Sequence, residues 1–301
     1  MTPVCDPVAQ RCVVCAIAAD CPAATPFCVT TVPPAGACYQ CRTLLDCPGA
    51  ADCDPTTHLC VPGSDAGAGG GGGSTRFDPV VYGHTATTLY RVNATTKLVT
   101  AVADFRNCDS EVIDLALDES SRAWVTTLGG LYRLNLATAE CTWVSTNTYP
   151  NSLSFVPKGT LDPNAEALVG YNGSSYVRIN PTTGAIQQLG VIGGGFVSSG
   201  DIVSVIDGGT YLTAKNPNVS SSDYLVEVNP ATGGLVRSLG VLPFNNVYGL
   251  AFWGGSLYGF SNNGTLFEIT LTGTGTTSAA VPNAMSQSWN GAGSTTSAAL
   301  R

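Results

Sequence analysis

Residues 131–145 read LYRLNLATAECTWVS: an alternating apolar run, a short polar turn and a second β-prone run. Four related stretches occur elsewhere: LYRVNATTKLVTAV from Leu89, YVRINPTTGAIQQL from Tyr176, LVEVNPATGGLVRSL from Leu225 and LFEITLTGTGTTSAA from Leu266. Aligned on Asn93, Asn135, Asn180, Asn229 and Thr270, the copies lie 42, 45, 49 and 41 residues apart. A period in that range marks a repeat architecture and takes precedence over any local reading.

Working outward, each copy grows into four strand-sized pieces. The second comprises VIDLALD (112–118), AWVTT (123–127), GLYRLNL (130–136) and ECTWVS (140–145); the fifth comprises YGLAFWG (248–254), SLYGFS (256–261), TLFEITL (265–271) and TTSAAV (276–281). Helical periodicity is absent, and NPTTG and NPATG supply turn residues between third and fourth strands. Four short antiparallel strands per repeat predict an all-β, five-bladed β-propeller over residues 76–301, with an incomplete six-bladed ring as the alternative. The first copy has room for only three strands, starting at Val80. The tail from Ser286 therefore supplies the innermost strand of blade one and closes the ring without free edges.

Third-strand alternation gives one apolar face, from Tyr90 and Val92 to Phe267 and Ile269, which should pack on a neighbouring blade. The opposite face carries Arg91, Arg133, Arg178, Glu227 and Glu268 at one equivalent position. Solvated charges are the favoured reading; Arg178–Glu227 and Glu268–Arg91 are the pairs that could instead bridge blades. Trp124, Trp143 and Trp253 fall within strands and are expected in the core.

Ten of twelve cysteines lie within residues 1–61. CDPVAQRCV at Cys5 and CDPTTHLCV at Cys53 are one unit repeated, so the chain starts part-way through a repeat. Two CxxC pairs, Cys12–Cys15 and Cys38–Cys41, raise zinc as a rival. The other cysteines fit no four-ligand set, which favours a disulfide-rich module that persists outside the cytosol. The broken first unit leaves Cys5 and Cys12 to pair with each other. By repetition Cys28–Cys38 and Cys53–Cys60 follow, leaving Cys15–Cys21 and Cys41–Cys47; crossed pairing within each unit stays open. Cys108 and Cys141 stand outside the module and are expected to bridge within the propeller. Residues 62–75, almost wholly Gly, Ala and Ser after Pro62, read as a flexible linker.

The chain has 301 residues, 11% of them charged, three of them lysines, with a net charge of −8. That thin acidic balance argues against nucleic acid, which needs clustered Lys and Arg. No apolar run is long enough to span a bilayer and no leader-like segment opens the chain, so an exported protein would carry its signal upstream of residue 1 or have lost it.

The LYRVN, LVEVNPATG, GLAF and SLYGFS repeats resemble secreted β-propellers of the NHL/YVTN-like class. The CxxCxxxxxC…CDPxxxxCV pattern resembles cysteine-repeat regions of myxobacterial surface proteins. This resemblance implies an exported, often surface-attached binding protein and brings no catalytic residues with it; no cofactor is expected.

Enzyme chemistry needs converging groups. His84 is the one histidine of the propeller, expected to be packed or at the surface, and neither GxSxG nor HExxH occurs. Innermost-strand acids are Asp114, Asp118, Asp201 and Asp207; Asp118 and Asp207 precede turn residues, leaving Asp114 and Asp201 to face the tunnel. A glycan hydrolase or lyase is the alternative that such a pair would support. Binding fits better. The loops from fourth to next first strand, and from second to third, share one face and carry Asn107, Asp109, Tyr171 and Asn172. Asn246, Tyr248 and Asn262 add to them, with Trp289 near the closing strand. Such side chains suit a glycan or a protein surface. The expectation is a non-enzymatic extracellular protein, either an adhesin or an appendage subunit that self-assembles through its cysteine module.

Overall fold

In a computed structural model the described residues are 80–272, 275–298 and 300, together with six three-residue strands nearer the N-terminus. The chain divides into two units, Met1–Asp78 and Pro79–Arg301. In the first, three antiparallel strand pairs set Cys5 opposite Cys12, Cys28 opposite Cys38 and Cys53 opposite Cys60. Cys15, Cys21, Cys41 and Cys47, and the linker beyond Pro62, lie outside the described residues.

The second unit is a five-bladed β-propeller of four-stranded antiparallel sheets, so the six-bladed alternative falls away. Blade two runs outward through Val112–Leu117, Ala123–Thr127, Gly130–Asn135 and Glu140–Thr146. The other innermost strands are Leu153–Val156, Val197–Val205, Val247–Trp253 and Gly291–Gly293. Gly291–Gly293 pairs with Val80–His84, so the C-terminal strand does complete blade one from the axis side.

The repeated asparagine now has a reason. The side-chain oxygens of Asn93, Asn180 and Asn229 each accept two backbone N–H groups of the turn that follows, and that of Asn135 accepts one. Four residues on, Lys97, Ala139, Gly184 and Gly233 have φ of 62°, 53°, 72° and 69° and donate their N–H to the asparagine carbonyl. That left-handed position is why two copies read NPTTG and NPATG, since glycine adopts it without a Cβ penalty.

Five apolar clusters lie at the five blade interfaces, one per neighbouring pair. The ten third-strand residues Tyr90, Val92, Tyr132, Leu134, Val177, Ile179, Val226, Val228, Phe267 and Ile269 are at most 7% exposed. Each such side chain contributes roughly 1.5–3 kcal/mol of burial, so the period-two face is the main adhesive between blades.

Two tryptophans depart from expectation. Trp143 is 63% exposed, because it lies on an outermost strand with no blade beyond its edge. Trp289 is fully buried between blades five and one, edge-on to Tyr90 and Phe260 at 5.2 and 5.3 Å. It seals the closure and is no ligand-binding surface. The third-strand charges also pair differently. Arg178 meets Asp162 at 3.5 Å and Glu227 meets Arg237 at 2.6 Å, each within its own blade. Glu268 does bridge blades, but to Lys97 at 2.9 Å, and Lys97 also donates to the buried Tyr258 hydroxyl at 2.5 Å. The bridge at the closing seam thus comes from a turn lysine.

Beyond Gly293 the tail crosses the face formed by the first-to-second-strand turns. Ser294 Oγ accepts the Phe252 N–H at 2.9 Å, and the Thr296 carbonyl accepts the Ile206 N–H at 2.8 Å. Thr296 Oγ1 donates to Glu166, and Ser297 Oγ to the Glu119 carbonyl at 3.2 Å. Blades two to five are thereby tied together at that end of the axis.

Candidate functional site

The opposite end of the axis opens into a funnel of about 670 Å³. Its wall comes from the starts of innermost strands and the ends of second strands. Asn151 with Pro150 and Tyr149 precede blade three, Asn172 ends its second strand, and Ser198, Ser199 and Lys215 belong to blade four. Tyr248 opens blade five, and Asn290 immediately precedes the closing strand. This is the face on which the connecting loops were expected to gather.

Of the expected binding residues, Asn172 and Tyr248 line the funnel. Asn262 stands behind it, its amide donating to the Trp289 carbonyl at 3.0 Å and to Asn290 Oδ1 at 3.1 Å. The others serve their loops. Asn107 and Asn246 adopt φ of 62° and 55°, and their amides hold Glu140 at 2.9 Å and Asn263 at 3.2 Å. Asp109 takes hydrogen bonds from Thr127 and Ser110, which hold its carboxyl below the usual range. Tyr171 is fully buried, with its hydroxyl on the Gly233 carbonyl at 2.6 Å, so it is a core residue and cannot meet a ligand. Asn151, Lys215 and Asn290 were missed. Lys215 gave no local signal: its counterpart in blade three is the core residue Tyr171, so strand position alone does not point to the funnel.

Below the funnel floor the axis is polar but closed. Asp114 follows the lining residue Ile113, Asp201 lies two residues beyond Ser199, and both carboxyls are fully buried. They lie close enough for the charge of one to act on the other. Innermost strands have no neighbour on the axis side, so some of their N–H groups lack a ladder partner, and buried donors require one. The dyad supplies it. Asp114 Oδ1 accepts from Leu115 N–H at 2.8 Å, while Asp201 accepts from Ile202 at 2.7 Å and Leu250 at 2.8 Å. Burial raises both carboxyls well above the ordinary range, and the charge of Asp201 raises Asp114 further, so the pair carries one proton. Asp114 Oδ2 is buried without a hydrogen-bond partner, so it is the oxygen on which that proton is placed.

His84 completes this layer. A Cβ on Gly291 would fall 2.3 Å from His84 Nε2 and 2.6 Å from Asp114 Oδ1, so glycine is required there for both groups to reach the axis. His84 Nδ1 lies 2.8 Å from the Thr85 carbonyl, which only accepts, so Nδ1 carries a proton. Complete burial lowers its pKa to about 4, so the ring is neutral near pH 7. Asp118 and Asp207 behave as turn residues: Asp118 accepts from Ser120 and Arg122 N–H groups, and Asp207 has φ of 58°. Among the described residues no cluster of three or more His, Cys, Asp or Glu is arranged to hold a metal.

No protein-family profile matches the chain, and no curated protein matches it. Solved structures similar in shape are distant. A nidogen/laminin complex matches with 12% identity, 71% of this chain, 97% of that chain and a TM-score of 0.43. The β-propeller domain of Myceliophteria thermophila Cps50 (Swd1) matches with 10% identity, coverages of 66% and 64% and a TM-score of 0.41. Kuenenia stuttgartiensis hydrazine synthase matches with 11% identity, 68% of this chain and a TM-score of 0.38; the match spans 63% of that chain. Likeness this remote says nothing of ligand or activity.

Proposed function

We propose that this chain is a non-enzymatic binding protein that holds a glycan in the axial funnel. The supporting observation is the division of the axis into two layers. The rim presents Asn151, Asn172 and Tyr248, none of which has a side-chain hydrogen-bond partner among the described residues. Beneath them every carboxyl at the axis is buried and committed to backbone amides. Open amide and phenol groups suit the hydroxyls of a sugar. Asp114 and Asp201 have no access to solvent, so they cannot flank a glycosidic bond, which speaks against hydrolysis at this dyad.

The ten N-terminal cysteines support export, and the reading extends to a surface adhesin or an appendage subunit assembling through that module. Screening the purified protein on an oligosaccharide array, with Asn172→Ala and Tyr248→Ala alongside, tests the funnel. Binding that both variants weaken supports it, and binding that neither changes rejects it. Sizing separates the remaining pair: a subunit forms large self-assemblies, and an adhesin stays monomeric.

A further inference from the structure

We infer that the funnel selects a glycan bearing a single carboxylate, such as a uronic acid residue, and that Lys215 reads the charge; this rests on the binding reading above. Lys215 is the one charged residue among those lining the funnel. Its side chain is 29% exposed, and its nearest anion is Asp223 Oδ1 at 3.7 Å, beyond hydrogen-bond length.

Asp223 is fully buried and already engaged, with Ser199 Oγ on Oδ1 at 2.6 Å and the Val247 N–H on Oδ2 at 3.0 Å. The Lys215 ammonium therefore has a neutralising charge behind it while its three N–H donors lack a hydrogen-bond acceptor among the described residues. Lys97, by contrast, spends its donors on Tyr258 and Glu268.

A ligand carboxylate on Lys215 gains a charge-assisted hydrogen bond in a half-enclosed site, about twice the strength of a neutral one. Asn172 and Tyr248 remain free for adjacent hydroxyls. The protein's net charge of −8 disfavours a dense polyanion, so one acidic sugar in a sparsely charged glycan fits better than a sulfated chain.

The test uses matched oligosaccharide pairs that differ only at C6, glucuronate against glucose and galacturonate against galactose, titrated into the full chain. The acidic member is expected to bind about tenfold tighter or better. Lys215→Gln should bring the acidic member down to the affinity of the neutral one, and Lys215→Arg, which keeps a cation beside buried Asp223, should retain the preference. Equal binding of both members to the wild-type protein, weakened by Asn172→Ala, overturns the inference while the funnel reading stands. A preference that survives Lys215→Gln overturns it too, by placing the selecting charge elsewhere. Failure of every glycan to bind removes both readings.

Discussion

Asp114 and Asp201, from the innermost strands of blades two and four, meet at the propeller axis as a fully buried carboxyl pair. Their partners are not equivalent. Both oxygens of Asp201 accept backbone N–H groups, from Ile202 and Leu250, whereas Asp114 Oδ2 is buried with no hydrogen-bond partner.

That asymmetry separates two isosteric changes. In Asp114→Asn a neutral amide takes the place of the protonated acid, so stability at neutral pH should match or exceed that of the parent. In Asp201→Asn the amide nitrogen must confront a backbone N–H, and leaving that buried donor unpaired should cost about 1–3 kcal/mol. The two carboxyls have folded-state pKa values raised above their unfolded value of 3.8. The folded chain therefore keeps a proton that the unfolded chain releases, and this contribution is lost as pH rises through the folded pKa. Urea unfolding across pH 4–9 should show that decline in the parent and its removal in Asp114→Asn. Equal damage from both substitutions would refute the assignment of the proton.

His84 acts in the opposite sense. Its pKa falls from 6.5 to about 4 in the folded chain, so its contribution is complete above 6.5 and lost as pH falls toward 4. The full effect is roughly 3 kcal/mol at 1.36 kcal/mol per pKa unit. An NMR titration of the imidazole resonances, assigned by His84→Gln, should show the His84 ring unresponsive until about pH 4. An ordinary midpoint for that ring would mean that His84 is not sealed at the axis.

Closure by the tail should be the cooperative step of the fold. Removing residues 286–301 uncovers the edge of Val80–His84, takes Trp289 from its contact with Tyr90 and Phe260, and cuts the Ser294 and Thr296 ties. The truncated chain should aggregate or melt far below the parent. A parental melting curve would show that the ring does not depend on its closing strand.

Cys108 and Cys141, 33 residues apart in sequence, form a disulfide that fastens the loop entering blade two to that blade's outermost strand. Loop-closure entropy assigns such a bridge roughly 3–4 kcal/mol. The Cys108→Ser, Cys141→Ser double variant should lose about that much in denaturant unfolding. Unchanged stability would show that the loop is held equally well by its neighbours, among them the Arg106 and Cys141 backbone pair.

The propeller, its blade count, the closing strand and the Cys108–Cys141 bridge were legible because each leaves a periodic or exclusive mark in the sequence. Period-two alternation, repeated asparagines and two cysteines with no other partner are marks of that kind. The site was legible only in outline. Asn172 and Tyr248 could be placed because Asn and Tyr stand out at strand ends, and Asp114 and Asp201 because few acids fall on innermost strands. Tyr171 and Trp289 misled for one reason: at a strand end or beside the closing strand, a residue faces either the rim or a blade interface, and its orientation depends on register. For Trp143 the deciding variable was strand rank. An alternating apolar residue on a fourth strand has no further blade to cover it. Lys215 left no local signal, because its importance comes from the fully buried Asp223 eight residues later.

The most direct measurement is recovery of the bound ligand. The protein is equilibrated with a labelled mixture of acidic and neutral oligosaccharides, separated by size exclusion, and the retained glycan is weighed by mass spectrometry. The expected result is intact oligosaccharide, near one per chain, lost with Tyr248→Ala and retained with Asp114→Asn. Shortened or unsaturated sugar that disappears with Asp114→Asn would contradict the account, because it would make the axial dyad a catalyst.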